Sequence, residues 1–128
     1  MFSEAVKGCD YLVPQLTPEN YLNTYWTYSV KYENKDISWQ EFRKKYMELG
    51  GDGIYAAWCL SYEETLMSSE SYKKHAPHYF QNLKYGKGSC PVAEELQPKL
   101  MQFVTNYGSL DEAAPYVDAL SKTIKHFS

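Results

Sequence analysis

Apolar positions recur along this chain at two spacings, and the spacing changes at glycines, prolines and short polar turns. Phe2, Ala5 and Val6 form one apolar helical turn, followed by an extended Tyr11-Leu12-Val13 and then by Pro14 and Pro18, which mark an irregular connection. Tyr25 to Tyr32 is dense in aromatic and β-branched residues and reads as a strand. After the polar Asn34-Lys35-Asp36, Ser38 opens a helix. With Glu41 three positions later it has the spacing of a capping box, in which each side chain satisfies a free backbone N–H of the first turn. Trp39, Phe42, Tyr46 and Leu49 fall at helical spacing and define the buried face. Gly50-Gly51 ends the helix, because glycine enters the left-handed cap conformation without a Cβ clash. Ile54 to Leu60 is a short apolar run bounded by glycine and predicts a second strand.

Between Ser61 and Gly88 the periodicity is lost, which predicts one short helix near Tyr62 to Met67 and loops beyond it. Pro91 in the first turn and acids at Glu94 and Glu95 predict another helix, ended by Pro98. Leu100 to Thr105 reads as a third strand. Ser109 with Glu112 repeats the capping spacing, and Leu110, Ala113, Val117, Leu120, Ile124 and Phe127 make the apolar stripe of a final helix. Pro115 should bend or loosen its second turn. The order is β-α-β, a loop, then α-β-α. That predicts an α/β (α+β) fold with a small three- to four-stranded sheet and helices packed on it.

Composition narrows the class. At 128 residues the chain has the size of one domain, and its 44% hydrophobic and 16% aromatic content supplies a core. Thirteen Tyr and three Trp suit a wet cleft or an interface as well as an interior. The net charge is -3, and the densest basic run is Arg43-Lys44-Lys45, which argues against a phosphate-tracking nucleic-acid binder. Cys9, Cys59 and Cys90 are odd in number and widely spaced, so they read as reduced thiols, not as a disulfide frame or zinc site. Residues 1–7 carry no secretory pattern, and no apolar run approaches a membrane span. A cytoplasmic protein without membrane partner is the expectation.

Candidate chemistry is sparse. His75 and His78 are separated by Pro77, which forbids a regular helix that would align two ligands, and a metal needs three or four. Glu63-Glu64 and Glu94-Glu95 are neighbours whose side chains diverge, so neither pair suits acid/base work. Gly50-Gly51-Asp52-Gly53 lies between helix and strand, the reverse of a phosphate loop's order. Tyr55, Trp58 and Tyr62, by contrast, cluster at the end of the second strand beside the irregular stretch, where aromatics can line a ligand cleft as well as pack a core.

Three stretches together resemble the C-terminal small domain of the DegT/DnrJ/StrS family of sugar-nucleotide aminotransferases. They are Tyr21 to Tyr32; Ser38 to Leu60, where a helix ends in Gly53-Ile54 and runs into a strand; and Cys90 to Gln97. The resemblance covers nearly the whole chain from about Cys9. It implies the C-terminal domain of a fold-type-I, PLP-dependent transferase that aminates a nucleotide-linked keto-sugar, with glutamate as donor, in polysaccharide biosynthesis. The aldimine lysine and the other cofactor-holding groups belong to the family's large domain. The resemblance therefore implies a fragment inactive alone, with no bound PLP and no catalytic residue of its own. Residues 1–14 would be a helix tail or linker from that large domain, and residues 15–128 the small domain. Tyr55, Trp58 and Tyr62 would face the sugar, with Trp26 behind them. Ala56-Ala57-Trp58 stands where many relatives have a histidine-containing stretch. Phe2, Val6 and Tyr11 would form an apolar patch against the large domain, so that the piece alone associates with itself. The alternative is a stand-alone α/β binding or self-assembly module derived from such an enzyme.

Overall fold

Alternating burial builds the sheet. Tyr28, Val30 and Tyr32 are buried, whereas Thr27, Ser29 and Lys31 between them are half-buried; Met101 and Phe103 alternate with Leu100, Gln102 and Val104 in the same way. The computed structural model describes residues 1–56, 59–80 and 85–128, with backbone alone for Tyr55 and Ala56. Its elements are α1 (Phe2–Ala5), β1 (Leu12–Pro14), β2 (Thr27–Tyr32), α2 (Trp39–Glu48), β3 (Ile54–Ala56), α3 (Thr65–Ser68), α4 (Glu70–His75), α5 (Pro77–Phe80), α6 (Pro91–Leu96), β4 (Leu100–Val104) and α7 (Leu110–His126). The chain divides into two units, Met1–Ala56 with Lys99–Ser128, and Ala57–Pro98.

The first unit is α+β. Its four strands run β1-β2-β4-β3, every neighbour antiparallel. The register sets Tyr28 opposite Phe103 and Val30 opposite Met101, and it brings Ile54 opposite Phe103 from the other side. The inward residues meet Phe42 and Tyr46 of α2 and Ala119 and Leu120 of α7 in one cluster, so the helices cover one face of the sheet. Ser38 and Glu41 form the full capping box. The second cap is half of one: Ser109 Oγ accepts from Glu112 N–H, but the Glu112 carboxylate turns back to Gly108 N–H at 2.9 Å.

Several expectations are corrected here. Phe2, Val6 and Tyr11 leave no patch for another domain; they are buried in this unit's own core, because β1 pairs with β2 and α1 packs on α7. Leu49 is exposed because it is the C-cap of α2, beyond the stripe of Phe42 and Tyr46. Leu110 is exposed likewise, and the buried stripe of α7 runs through Ala113, Ala119, Leu120 and Thr123. Thr123 is tolerated inside because its hydroxyl donates to Ala119 O at 2.7 Å. Pro115 lies within an unbroken α7: it removes one backbone donor early in a 17-residue helix whose inner face is well packed. The first strand begins at Thr27, two residues later than expected, and the second ends by Ala56 as far as it is described.

The second unit consists of short helices. A 3-10 turn at Ser61–Glu63 precedes α3, and α4 and α5 occupy a stretch expected as loop. Local signals explain them: Ser69 Oγ accepts from Tyr72 N–H at the start of α4, Glu70 pairs with Lys73 at 3.0 Å, and Pro77 begins α5. No helix among the described residues is long and apolar enough to cross a membrane.

Candidate functional site

Polar groups at one end of the first unit's sheet converge on a cavity of about 410 Å³. It lies where β2 begins and β4 ends, between α1 and the start of α7. Phe2, Tyr25, Tyr28 and Tyr107 supply aromatic walls, with Leu110 and Ala113 on the helix side and the hydroxyls of Ser3, Thr105 and Ser109 at its edges. Tyr28 reaches it because strand alternation turns this residue inward at the second paired rung, Tyr28 to Phe103, next to the end rung of Thr27 and Val104.

The Tyr28 hydroxyl is the unusual atom. The residue is 4% exposed, and its oxygen has no hydrogen-bond partner among the described residues. Ser3 stands beside it and eases its ionisation, but the two do not meet in hydrogen-bond geometry. Burial pushes this phenol above its ordinary range, so it stays a protonated donor. Buried polar groups are normally paired, and an unpaired one lining a cavity marks a place where a ligand can supply the partner.

Tyr25 is held in a strained form at the same cavity. Its φ of 47° lies in the left-handed region, which a bulky residue seldom adopts. Asn23 Oδ1 accepts its N–H at 2.9 Å, and Thr105 Oγ1 donates to its carbonyl at 2.6 Å. Two anchors thus fix a conformation that costs about 1 kcal/mol or more, a pattern common at ligand clamps.

Tyr107 is fixed from behind. Its hydroxyl donates to Asp52 Oδ2 at 2.5 Å, and its ring stacks on Tyr116 at 5.0 Å. Asp52 Oδ1 also accepts from Tyr46 at 3.4 Å. Burial first, and then the carboxylate, push both phenols well above the ordinary tyrosine range, so both remain donors to Asp52. The glycine-flanked turn with the look of a phosphate loop thus presents a carboxylate that braces a cavity wall.

The residues singled out by sequence fare differently. Trp26 precedes β2 and is 77% exposed. Tyr55 lies in β3, its backbone opposite Gln102, and its side chain and Trp58 lie outside the described residues. Tyr62 belongs to the second unit, half-buried, with its hydroxyl on Glu94; desolvation and then that carboxylate push it up to about 12. No single unit therefore gathers the set. His75 Nδ1 lies 2.7 Å from Ser71 O, and His78 packs on Tyr79. Among the described residues no group of three His, Cys, Asp or Glu could hold a metal ion. Sequence reasoning missed Tyr25, Tyr28, Asp52 and Tyr107. For Tyr25 and Tyr28 the sequence holds one signal, the Tyr-x-x-Tyr at the head of the expected first strand, where strand alternation would turn the two rings to opposite faces; for Asp52 and Tyr107 it holds none.

A second hollow of about 620 Å³, near Cys9, Glu33, Lys35 and Asp36, is edged by charged surface groups and has no buried unpaired atom among the described residues. No family model, no curated protein and no solved structure matches the chain.

Proposed function

We propose that this chain is a small-molecule binding module whose site is the Tyr28 cavity. One observation carries the reading: Tyr28, only 4% exposed and with a hydroxyl that has no partner among the described residues, stands in the wall of a mainly apolar hollow of ligand size. The doubly anchored, strained Tyr25 and the Asp52-braced Tyr107 support it, since a binding site needs walls held in place before the ligand arrives. The test is a fragment screen on the full chain by 15N–1H NMR. Shifts concentrated on residues 1–3, 25–28 and 105–113 are expected, and shifts spread over the surface or confined to the second unit would sink the reading.

The aminotransferase small domain is a second reading, favoured by the α+β sheet with helices on one face. Under it, Tyr55, Trp58, Tyr62 and Trp26 act on a keto-sugar in a complete enzyme. PLP itself does not fit the Tyr28 cavity: its aldehyde needs a lysine amine, and no lysine lines it. An adjoining reading frame for a PLP-binding large domain, whose product forms an active complex with this chain, is the outcome this second reading requires.

A further inference from the structure

The cavity's own chemistry narrows what it can hold, given that it is a ligand site. We infer that it takes a neutral, ring-containing molecule with a hydrogen-bond acceptor, a carbonyl or ether oxygen, that meets the Tyr28 hydroxyl.

Charge comes first. Apart from the Met1 terminus, the lining offers no charged group, and no Lys, Arg, His, Asp or Glu side chain is there to offset the loss of an ion's water shell. The start of α7 would favour an anion, but its own first turn already answers that field, with Asp111 and Glu112 there and Ser109 Oγ on Glu112 N–H.

Hydrogen bonding comes next. Thr105 Oγ1 gives its hydrogen to the carbonyls of Tyr25 and Trp26, at 2.6 and 3.0 Å. The Tyr107 hydroxyl gives its hydrogen to Asp52. The hydroxyls of Tyr28, Ser3, Tyr25 and Ser109 keep hydrogens to offer, so the site is a donor and wants an acceptor.

Shape comes last. Phe2 stacks on Tyr28 at 5.6 Å, and Tyr25 lies 5.8 Å from the same ring, which makes one continuous aromatic wall opposite Leu110 and Ala113. A volume of about 410 Å³ is at the small end of ligand cavities, the size for one or two fused rings.

Three probes of matched shape test this on the full chain by NMR titration: 2-acetylnaphthalene, 2-ethylnaphthalene and 2-naphthoate. The ketone should bind at the cavity amides about tenfold more tightly than the hydrocarbon, the worth of one buried hydrogen bond. The naphthoate should bind more weakly than the ketone. Tyr28→Phe keeps the ring and removes only the hydroxyl; it should bring ketone and hydrocarbon to within about twofold of each other. A hydrocarbon that binds in the cavity as well as the ketone, a ketone preference that survives Tyr28→Phe, or tighter binding of the naphthoate would each overturn the ligand class and leave the ligand site standing. If none of the three probes moves the cavity amides, both readings fall.

Discussion

The two units of this chain are held together by different physics. In the first, strand alternation and two amphipathic helices bury Tyr46, Phe42, Phe103, Leu12, Met101 and Leu120 almost completely. In the second, no described residue is buried, and four helices of four to six residues are tied by local bonds. Tyr85 donates to Met67 O at 2.9 Å, Phe80 packs edge-on to Tyr72 and Tyr85, and the Glu94 carboxylate gathers the amides of Gly88 and Cys90. Helices this short are not stable in water by themselves, and without buried apolar area little opposes their conformational entropy. The candidate ligand site belongs to the cored unit, where a strained Tyr25 and an unpaired Tyr28 hydroxyl can be sustained. Strain persists only where surrounding packing over-determines it.

The sharpest way to break this comparison is to remove one ring from each unit. Phe103 is fully buried between Phe2 and Tyr46 and strand-paired to both Tyr28 and Ile54. Phe103→Ala should cost about 3–5 kcal/mol in denaturant unfolding, by lost transfer and the cavity left behind. Phe80→Ala, whose ring is half-buried among Tyr72 and Tyr85, should cost less than about 1 kcal/mol of global stability. Hydrogen exchange gives the matching readout. Amides of β2 and β4 should be protected at least about a hundredfold more than those of α3 to α6. Equal costs, or equal protection, would mean that the second unit shares the first unit's cooperative fold.

Glycines supply a smaller contrast. A Cβ on Gly51 would overlap the ring of Tyr46, which is fully buried and bonded to Asp52 and so cannot swing away. Gly51→Ala should therefore cost about 2–3 kcal/mol as overpacking, and it should disturb the Asp52–Tyr107 brace as well. Gly88 has a φ of 94° with nothing near its would-be Cβ. Gly88→Ala should cost about 1 kcal/mol, from backbone strain alone and confined to the second unit. Thermal melts of both variants, followed by near-UV circular dichroism, would separate a packing clash from a local backbone penalty.

How much of this was legible beforehand follows the same division. In the cored unit, period-2 and period-3.6 patterns found β2, β4, α2 and α7 to within a few residues, because burial and sequence pattern there have one cause. Where no described residue is buried, pattern is absent too, so α4 and α5 read as loop; their cause is Ser69 and Pro77 acting over single turns. The site was illegible for a third reason. Tyr28 looks like any inward strand residue, and Asp52 looks like part of a glycine turn, until the fold brings Tyr107 within 2.5 Å of it across 55 positions of chain. Linear spacing carries no trace of that pairing.

Tyr28→Phe sharpens the comparison by running against its general rule. Removing atoms from a core nearly always destabilises, yet this hydroxyl has lost its water without gaining a partner among the described residues. The variant should therefore be more stable than the parent by about 1 kcal/mol, read as a higher melting temperature. If the same change also abolishes the ketone preference, the cavity keeps an unpaired donor at the expense of stability, as a ligand site does. A lower melting temperature would show instead that the hydroxyl is satisfied in solution, by water or by Ser3.

The smallest effect expected is the response to acid, and its sign can be worked out. Glu41 caps α2 in the cored unit and is lowered below the ordinary carboxylate range by the Ser38 hydroxyl and then its amide. Glu94 is lowered first by the Cys90 amide and then by the Tyr62 hydroxyl and the Gly88 amide. A carboxyl whose folded value is depressed contributes stability that is present above its unfolded value, near about 4.3, and lost as pH falls through the folded one. Both caps should therefore weaken as the pH falls below the ordinary carboxylate range, but with different consequences. Helix α2 is also held by fully buried Phe42 and Tyr46, so its amides should keep their protection when Glu41 is protonated. Helix α6 has six residues and none buried, so its cap is a large part of what holds it, and its amides should open while β2 and β4 are still intact. Glu94→Gln should remove this acid step for the amides of Gly88 and Cys90, because the amide side chain does not titrate. A single transition in which α6 and β4 lose protection together, at the same pH, would show that the second unit's stability is not local and would end the distinction drawn here.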